Sequence, residues 1–133
     1  METDHLNLSG AWKGFFNYPR ALPPTQFDAE LRDQMGALTG ETFEIGNGRR
    51  NNIQPMHALI EGRRNGDDVS FVKHYDDFKR ARTPVRYSGT VNDDGTEIAG
   101  IWTIPGHWSG TFLMVRPKSQ SAVIERKIAE TVR

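Results

Sequence analysis

"LSGAWKG", Leu8–Gly14, opens the first ordered-looking stretch of the chain and sets one of its three tryptophans between two glycines. From this point apolar and polar residues alternate, and the alternation recurs about eight times with turn residues between the runs. Period two is the signature of a strand with one face buried. The expected strands are Leu8–Asn17, Gln26–Arg32, Ala37–Ile45, Met56–Arg63, Val69–Tyr75, Val85–Val91, Glu97–Ile104 and Thr111–Arg116.

The connections say how these strands are arranged. Asp33-Gln34-Met35-Gly36, Arg64-Asn65-Gly66-Asp67 and Asn92-Asp93-Asp94-Gly95 read as tight hairpins, the second through its Asn-Gly pair. Tyr18–Thr25 holds three prolines, and Gly46–Pro55 and Asp76–Pro84 are long. Pro105–Trp108 is short but unusual in composition. In an up-and-down meander the tight connections all fall at one end and the irregular ones at the other. That asymmetry predicts a barrel with a closed floor and an open mouth. A two-sheet sandwich is the alternative. The fold class expected is all-β: an eight-stranded antiparallel up-and-down β-barrel with a C-terminal helix packed outside.

In such a barrel Trp12, early in the first strand, and Arg116, late in the last, meet at the floor. Gly10-Ala11-Trp12 resembles the G-x-W of lipocalins and related calycins, where a basic residue of the last strand packs across the tryptophan. Gly10, Trp12 and Arg116 are therefore expected to form a structural floor. "GALTGETFE", Gly36–Glu44, is similar to a hairpin strand of bacterial avidins. The resemblance implies a calycin-like barrel over residues 1–118. Thr42 and Glu44 stand where avidin pocket residues lie, the several tryptophans of a biotin wall are missing, and biotin binding is not implied.

Residues 119–133 are expected to form an amphipathic helix or tail, with Ile124, Ile128 and Val132 four apart among charges. With Trp12, Trp102 and Phe112 inward, Phe15, Ile101, Leu113 and Val115 form an outer apolar patch. Such a patch suits that helix, as in lipocalins, or a homodimer through the outer face of the first and last strands.

Composition narrows the function classes. There is no cysteine, so disulfides and thiolate chemistry are excluded. Seventeen basic residues balance seventeen acidic ones, which argues against nucleic acid as a partner. No apolar run approaches the ~20 residues of a membrane helix, and no signal-peptide pattern is seen, so no membrane partner and a cytoplasmic location are expected. Neither a Walker loop, a dinucleotide fingerprint nor a zinc-ligand spacing occurs, so no cofactor and no metal are expected.

Parity then names the interior. Val69, Phe71, Lys73 and Tyr75 face inward on one strand, Val85, Tyr87 and Gly89 on the next, and Leu38, Gly40, Thr42 and Glu44 on the third. Charges inside a barrel demand partners, so Lys73 and Glu44 either pair with each other or tilt to water at the rim. The candidate ligand-binding residues are Thr42, Glu44, Lys73, Tyr75, Tyr87, Trp102, Phe16 and Tyr18, aromatic walls with a few polar groups. Charges over the long connections, from Arg20 through Arg82, sum to +4, while the tight turns sum to −3. A positive mouth would steer anions inward.

Three readings follow. The first is a binding protein for an amphipathic, anionic small organic ligand. The second is a lipocalin-like enzyme, an isomerase, cyclase or decarboxylase, with Glu44 or His107 as acid or base and Tyr75 orienting the substrate. The third is an interaction scaffold. No catalytic residue is assigned under the first and third.

Overall fold

The computed structural model describes residues 6–19, 23–44, 56–76 and 83–117. Eight strands make one closed antiparallel barrel, each hydrogen-bonded to its sequence neighbours. They are β1 (Gly10–Asn17), β2 (Thr25–Gln34), β3 (Ala37–Glu44), β4 (Met56–Asn65), β5 (Asp68–Tyr75), β6 (Val85–Val91), β7 (Glu97–Ile104) and β8 (Trp108–Val115). Closure is made by β1 against β8, with Lys13 opposite Val115 and Asn17 opposite Thr111. That ladder removes the sandwich alternative, because a closed sheet has no edge.

Two hairpins are tighter than the sequence implies, and β2 and β4 are correspondingly longer. The β2–β3 turn is Met35–Gly36 alone, with positive φ at both residues (55° and 94°), the type I′ pattern. In the β4–β5 turn the central residues are Gly66 and Asp67, one position later than the expected Asn-Gly pair. Asn65 instead pairs with Asp68, and only Gly66 has positive φ, as type II′ requires. At the other end β8 begins at Trp108, three residues earlier than expected, and Ile104 pairs with it across Pro105–His107. The mouth therefore carries one short turn beside its longer connections.

Backbone bonds between turns draw the floor shut. Arg64 N–H donates to the carbonyl of Gly36 at 2.7 Å, and Val91 N–H to that of Asp67 at 2.8 Å. Alternation of inward and outward residues sends one face of each strand inward, most regularly in β2, where Phe27, Ala29, Leu31 and Asp33 are buried. The interior holds an aromatic stack: Phe71 lies parallel to Tyr87 at 4.8 Å, and Phe112 meets Tyr87 edge-on at 4.9 Å. Gly14 has a steric role in this packing. The Phe27 ring fills the space a Cβ would occupy, with ring carbons within 2.6 Å of that position.

On the outside, Ile101 is exposed and Phe15, Leu113 and Val115 are half-buried, all on the wall formed by β7, β8 and β1. The expected helix over 119–133 lies outside the described residues, as do Arg20, Arg49, Arg50, Asp77, Lys79, Arg80 and Arg82 of the long connections.

Candidate functional site

The floor is a finished structural unit. Trp12 is 1% exposed, and its indole Nε1 donates to the Leu8 carbonyl at 2.9 Å. The Arg116 guanidinium lies over the ring, 4.4 Å from its centroid. All three guanidinium nitrogens donate to carbonyls, Nε to Gly95, Nη1 to Ser9 and Nη2 to Asn7. Gly10, at φ +128°, turns the backbone through a region that a side chain would strain.

Beside it sits an ion pair that the sequence reading missed. Asp33 Oδ2 accepts from Arg64 Nε at 2.5 Å and from Leu8 N–H at 3.0 Å, and Oδ1 accepts from Gly36 N–H at 2.9 Å. Burial pushes the Asp33 carboxyl upward, but the Arg64 and backbone hydrogen bonds outweigh it and hold the group below its usual range. The signal was present: Asp33 falls on the inward parity of β2, yet turn composition assigned it to a solvated loop.

Toward the mouth, the residues singled out from sequence converge. Glu44 closes β3 and Lys73 lies on β5, with β4 between them. Lys73 Nζ donates to Glu44 Oε2 at 2.8 Å, and the Tyr75 hydroxyl donates to the same oxygen at 2.6 Å. Lys73 is 1% exposed and Glu44 6%, so the charges pair inside the barrel rather than tilting to water. Around the ammonium stand the rings of Phe16 at 4.6 Å, Tyr75 at 4.9 Å, Tyr87 at 5.2 Å and Phe27 at 5.6 Å. Their π faces favour the cation in a place that has excluded water. Burial raises the phenols of Tyr75 and Tyr87, and the negative charge of Glu44 adds to each, against an opposing effect of Lys73 on Tyr75, so Tyr75 donates to Glu44 as a neutral phenol.

Thr42 lies two residues before Glu44 on the same face of β3. It is 1% exposed, and its hydroxyl makes no hydrogen bond. Its cross-strand neighbours are Ala29 and Ala58, and Ala58 in turn pairs with Tyr75. Small side chains thus flank the unsatisfied hydroxyl on both sides.

Phe16 links the charged cluster to the rim. Its ring meets Tyr18 at 5.5 Å and Trp102 at 6.0 Å, and both reach Trp108, at 5.2 and 5.8 Å. Trp102 is anchored by Nε1 donating to the Asn17 carbonyl at 2.9 Å. Gly110, opposite it on β8, leaves room for the indole, whose Nε1 lies only 2.7 Å from where a Cβ would sit. Trp108 is 39% exposed, so the aromatic run extends from solvent to the Lys73 amine. Phe27, Ala58 and Trp108 are additions to the sequence-derived set. Parity along β2 and β4 could have supplied the first two.

His107 does not join this cluster. It sits exposed in the Pro105–His107 turn, and no hydrogen bond from its ring to a described residue is found. A different histidine is engaged on the outer wall. His57 contacts Asp76 at 2.5 Å through Nδ1 and Glu41 at 3.1 Å through Nε2. The Asp76 hydrogen bond, supported by Glu41, raises its pKa against the opposing effect of burial.

Among the described residues no group of three or more His, Asp or Glu could hold a metal ion, and no helix is long and apolar enough to cross a membrane. Comparison with protein-family models, curated proteins and solved structures finds no match to this chain.

Proposed function

We propose that this chain is a calycin-like binding protein that holds an amphipathic small organic molecule in the mouth half of its barrel. The observation that carries the reading is the Thr42 hydroxyl, fully buried and without a partner, beside the Glu44–Lys73–Tyr75 cluster. A buried unsatisfied hydroxyl costs about 1–3 kcal/mol, and a folded protein seldom keeps one without a use. A ligand oxygen or nitrogen seated against Thr42 would satisfy it. Apolar parts of the same molecule would lie along Phe16, Tyr18 and Trp102.

The pairing bears on ligand charge. Glu44 already neutralises Lys73, so attraction for an anion comes from the long connections, which sum to +4, and not from the cluster. The outer patch of Phe15, Ile101, Leu113 and Val115 is assigned to the amphipathic segment 119–133 or to a second copy of the chain.

Native mass spectrometry of the purified protein, with melting measured against a panel of organic acids and their neutral alcohols, tests the reading. A co-purifying ligand or a raised Tm that Thr42→Val diminishes is expected. No ligand and no shift across the panel would overturn it.

The enzyme reading draws on one specific observation, the single Glu44 oxygen shared by an amine and a phenol. In that reading Glu44 is the acid or base and Tyr75 the positioning group.

A further inference from the structure

We propose that Lys73 captures a planar, conjugated aldehyde as a reversible imine. The inference deepens the binding reading and rests on it. Lysine becomes a nucleophile toward carbonyls when an apolar pocket surrounds it and a neighbouring group takes its proton. At Nζ the rings exclude water and Glu44 stands within reach to take the proton, while the π faces that favour the resting ammonium favour the iminium product as well. Aromatic faces enclose Nζ at 4.6 to 5.6 Å, and Glu44 Oε2 lies 2.8 Å away. The Tyr75 hydroxyl donates to the same carboxylate oxygen at 2.6 Å, which fixes its position. An unattached ion pair needs none of this convergence, since well-packed apolar residues usually stabilise an interior as well or better.

The aromatic run selects the rest of the molecule. The rings from half-exposed Trp108 through Tyr18 to Phe16 meet at 34° and 75°, so they offer both faces and edges to a conjugated body whose carbonyl carbon arrives at the amine. Thr42, with its hydroxyl unused, supplies the hydrogen bond to the carbonyl oxygen.

The step balances without an oxidant or reductant. Lys73 passes a proton to Glu44, and the amine attacks the carbonyl carbon. The C–N bond forms as the C=O π bond breaks, and the surplus proton on the attacking nitrogen passes to the oxygen to give a neutral carbinolamine. Glu44 then returns a proton to the hydroxyl, which leaves as water as the C=N bond forms. Hydrolysis reverses each step.

The test uses the full chain and cinnamaldehyde at neutral pH, with cyanoborohydride to reduce any imine, followed by intact-mass analysis and peptide mapping. One adduct, with the mass of the aldehyde less its oxygen, is expected on the Lys73 peptide. It should form at least about tenfold faster than on Lys13, which sits exposed on the outer wall. Glu44→Gln should slow capture about 100-fold, the usual loss when an acid–base group is removed. Because that variant disturbs the ion pair, its folding is checked by circular dichroism, and the wild-type map decides the matter without it. Labelling spread evenly over the lysines, or absent from Lys73, overturns the proposal. Cinnamyl alcohol, which cannot form an imine, separates the two readings through quenching of tryptophan fluorescence. If the alcohol binds and the aldehyde is not captured, capture alone falls. If neither engages the protein, the binding reading falls with it.

Discussion

The guanidinium of Arg116 lies over the indole of Trp12, 4.4 Å from its ring centroid, and joins the last strand's exit to the first strand's entry. Both residues are also bonded to main-chain carbonyls, Trp12 to Leu8 and Arg116 to Asn7, Ser9 and Gly95. The barrel is thus fastened at its floor by side chains as well as by the β1–β8 ladder. Trp12→Ala should cost about 3–5 kcal/mol, as for other buried aromatics. Because the two groups touch, the losses from Trp12→Ala and Arg116→Ala should not add, and a coupling of about 0.5–3 kcal/mol should appear in a urea-denaturation cycle. Ligand preference should be unaffected, since the proposed site lies at the other end.

The mouth cluster has a distinct mutational signature. Lys73→Met leaves the Glu44 carboxylate buried without its counter-charge and should destabilise by about 3–5 kcal/mol. Adding Glu44→Gln removes the charge while keeping an acceptor for the Tyr75 hydroxyl, and should recover most of the loss. Urea midpoints of the wild type, both single variants and the double variant check this. A double variant as unstable as Lys73→Met would show that the destabilisation comes from packing rather than charge.

Asp33 predicts an acid dependence with a definite sign. Its folded pKa is held below the usual value, so its stabilisation is complete above the unfolded pKa of ~3.9 and is lost as pH falls through the folded value. Asp33→Asn should be less stable than the wild type at neutral pH, and the gap should narrow as pH drops below ~3.9. Denaturant midpoints measured across that range for both proteins provide the comparison.

His57 works in the opposite direction. Its folded pKa is raised, first by Asp76 and then by Glu41, so its contribution is complete below ~6.5 and is lost as pH rises through the folded value. Asp76→Asn should lower the imidazole pKa in an NMR titration more than Glu41→Gln does. An equal or inverted order would contradict the geometry, in which the Asp76 contact is shorter, 2.5 Å against 3.1 Å.

Period two made most of this molecule readable in advance. It placed Trp12, Lys73, Tyr87 and Glu44 inside, and the distribution of turn residues indicated closure. Where parity was applied, the inward face came out correctly even in strands whose ends were misjudged. Turn chemistry was less legible. Gly66 supplies its positive φ at the first central position, not the second, because Asn65 and Asp68 extend the ladder by one rung. The same extension on β2 carried Asp33 from an expected loop into the core, where Arg64 meets it. Pairing of Lys73 with Glu44, strands apart, depends on how far β3 and β5 are offset across β4. Sequence patterning leaves that offset open until the register is known.

Thr42 offers the sharpest separation of stability from function. Its hydroxyl is buried with no acceptor or donor, a cost the fold bears without return in the free protein. Thr42→Val replaces the hydroxyl with a methyl of similar size, between Ala29 and Ala58, which leave space to accept it. The variant should therefore be more stable than the wild type, by about 1–3 kcal/mol if the whole desolvation penalty is relieved. It should bind the ligand more weakly, by about 2- to 10-fold, the net worth of one hydrogen bond. A hydroxyl that no ligand touches would raise stability on its removal and leave binding unchanged. Urea midpoints and the ligand-induced Tm shift, measured on the same two proteins, decide it: higher stability with weaker binding assigns the hydroxyl to the ligand, while higher stability with unchanged binding removes Thr42 from the site.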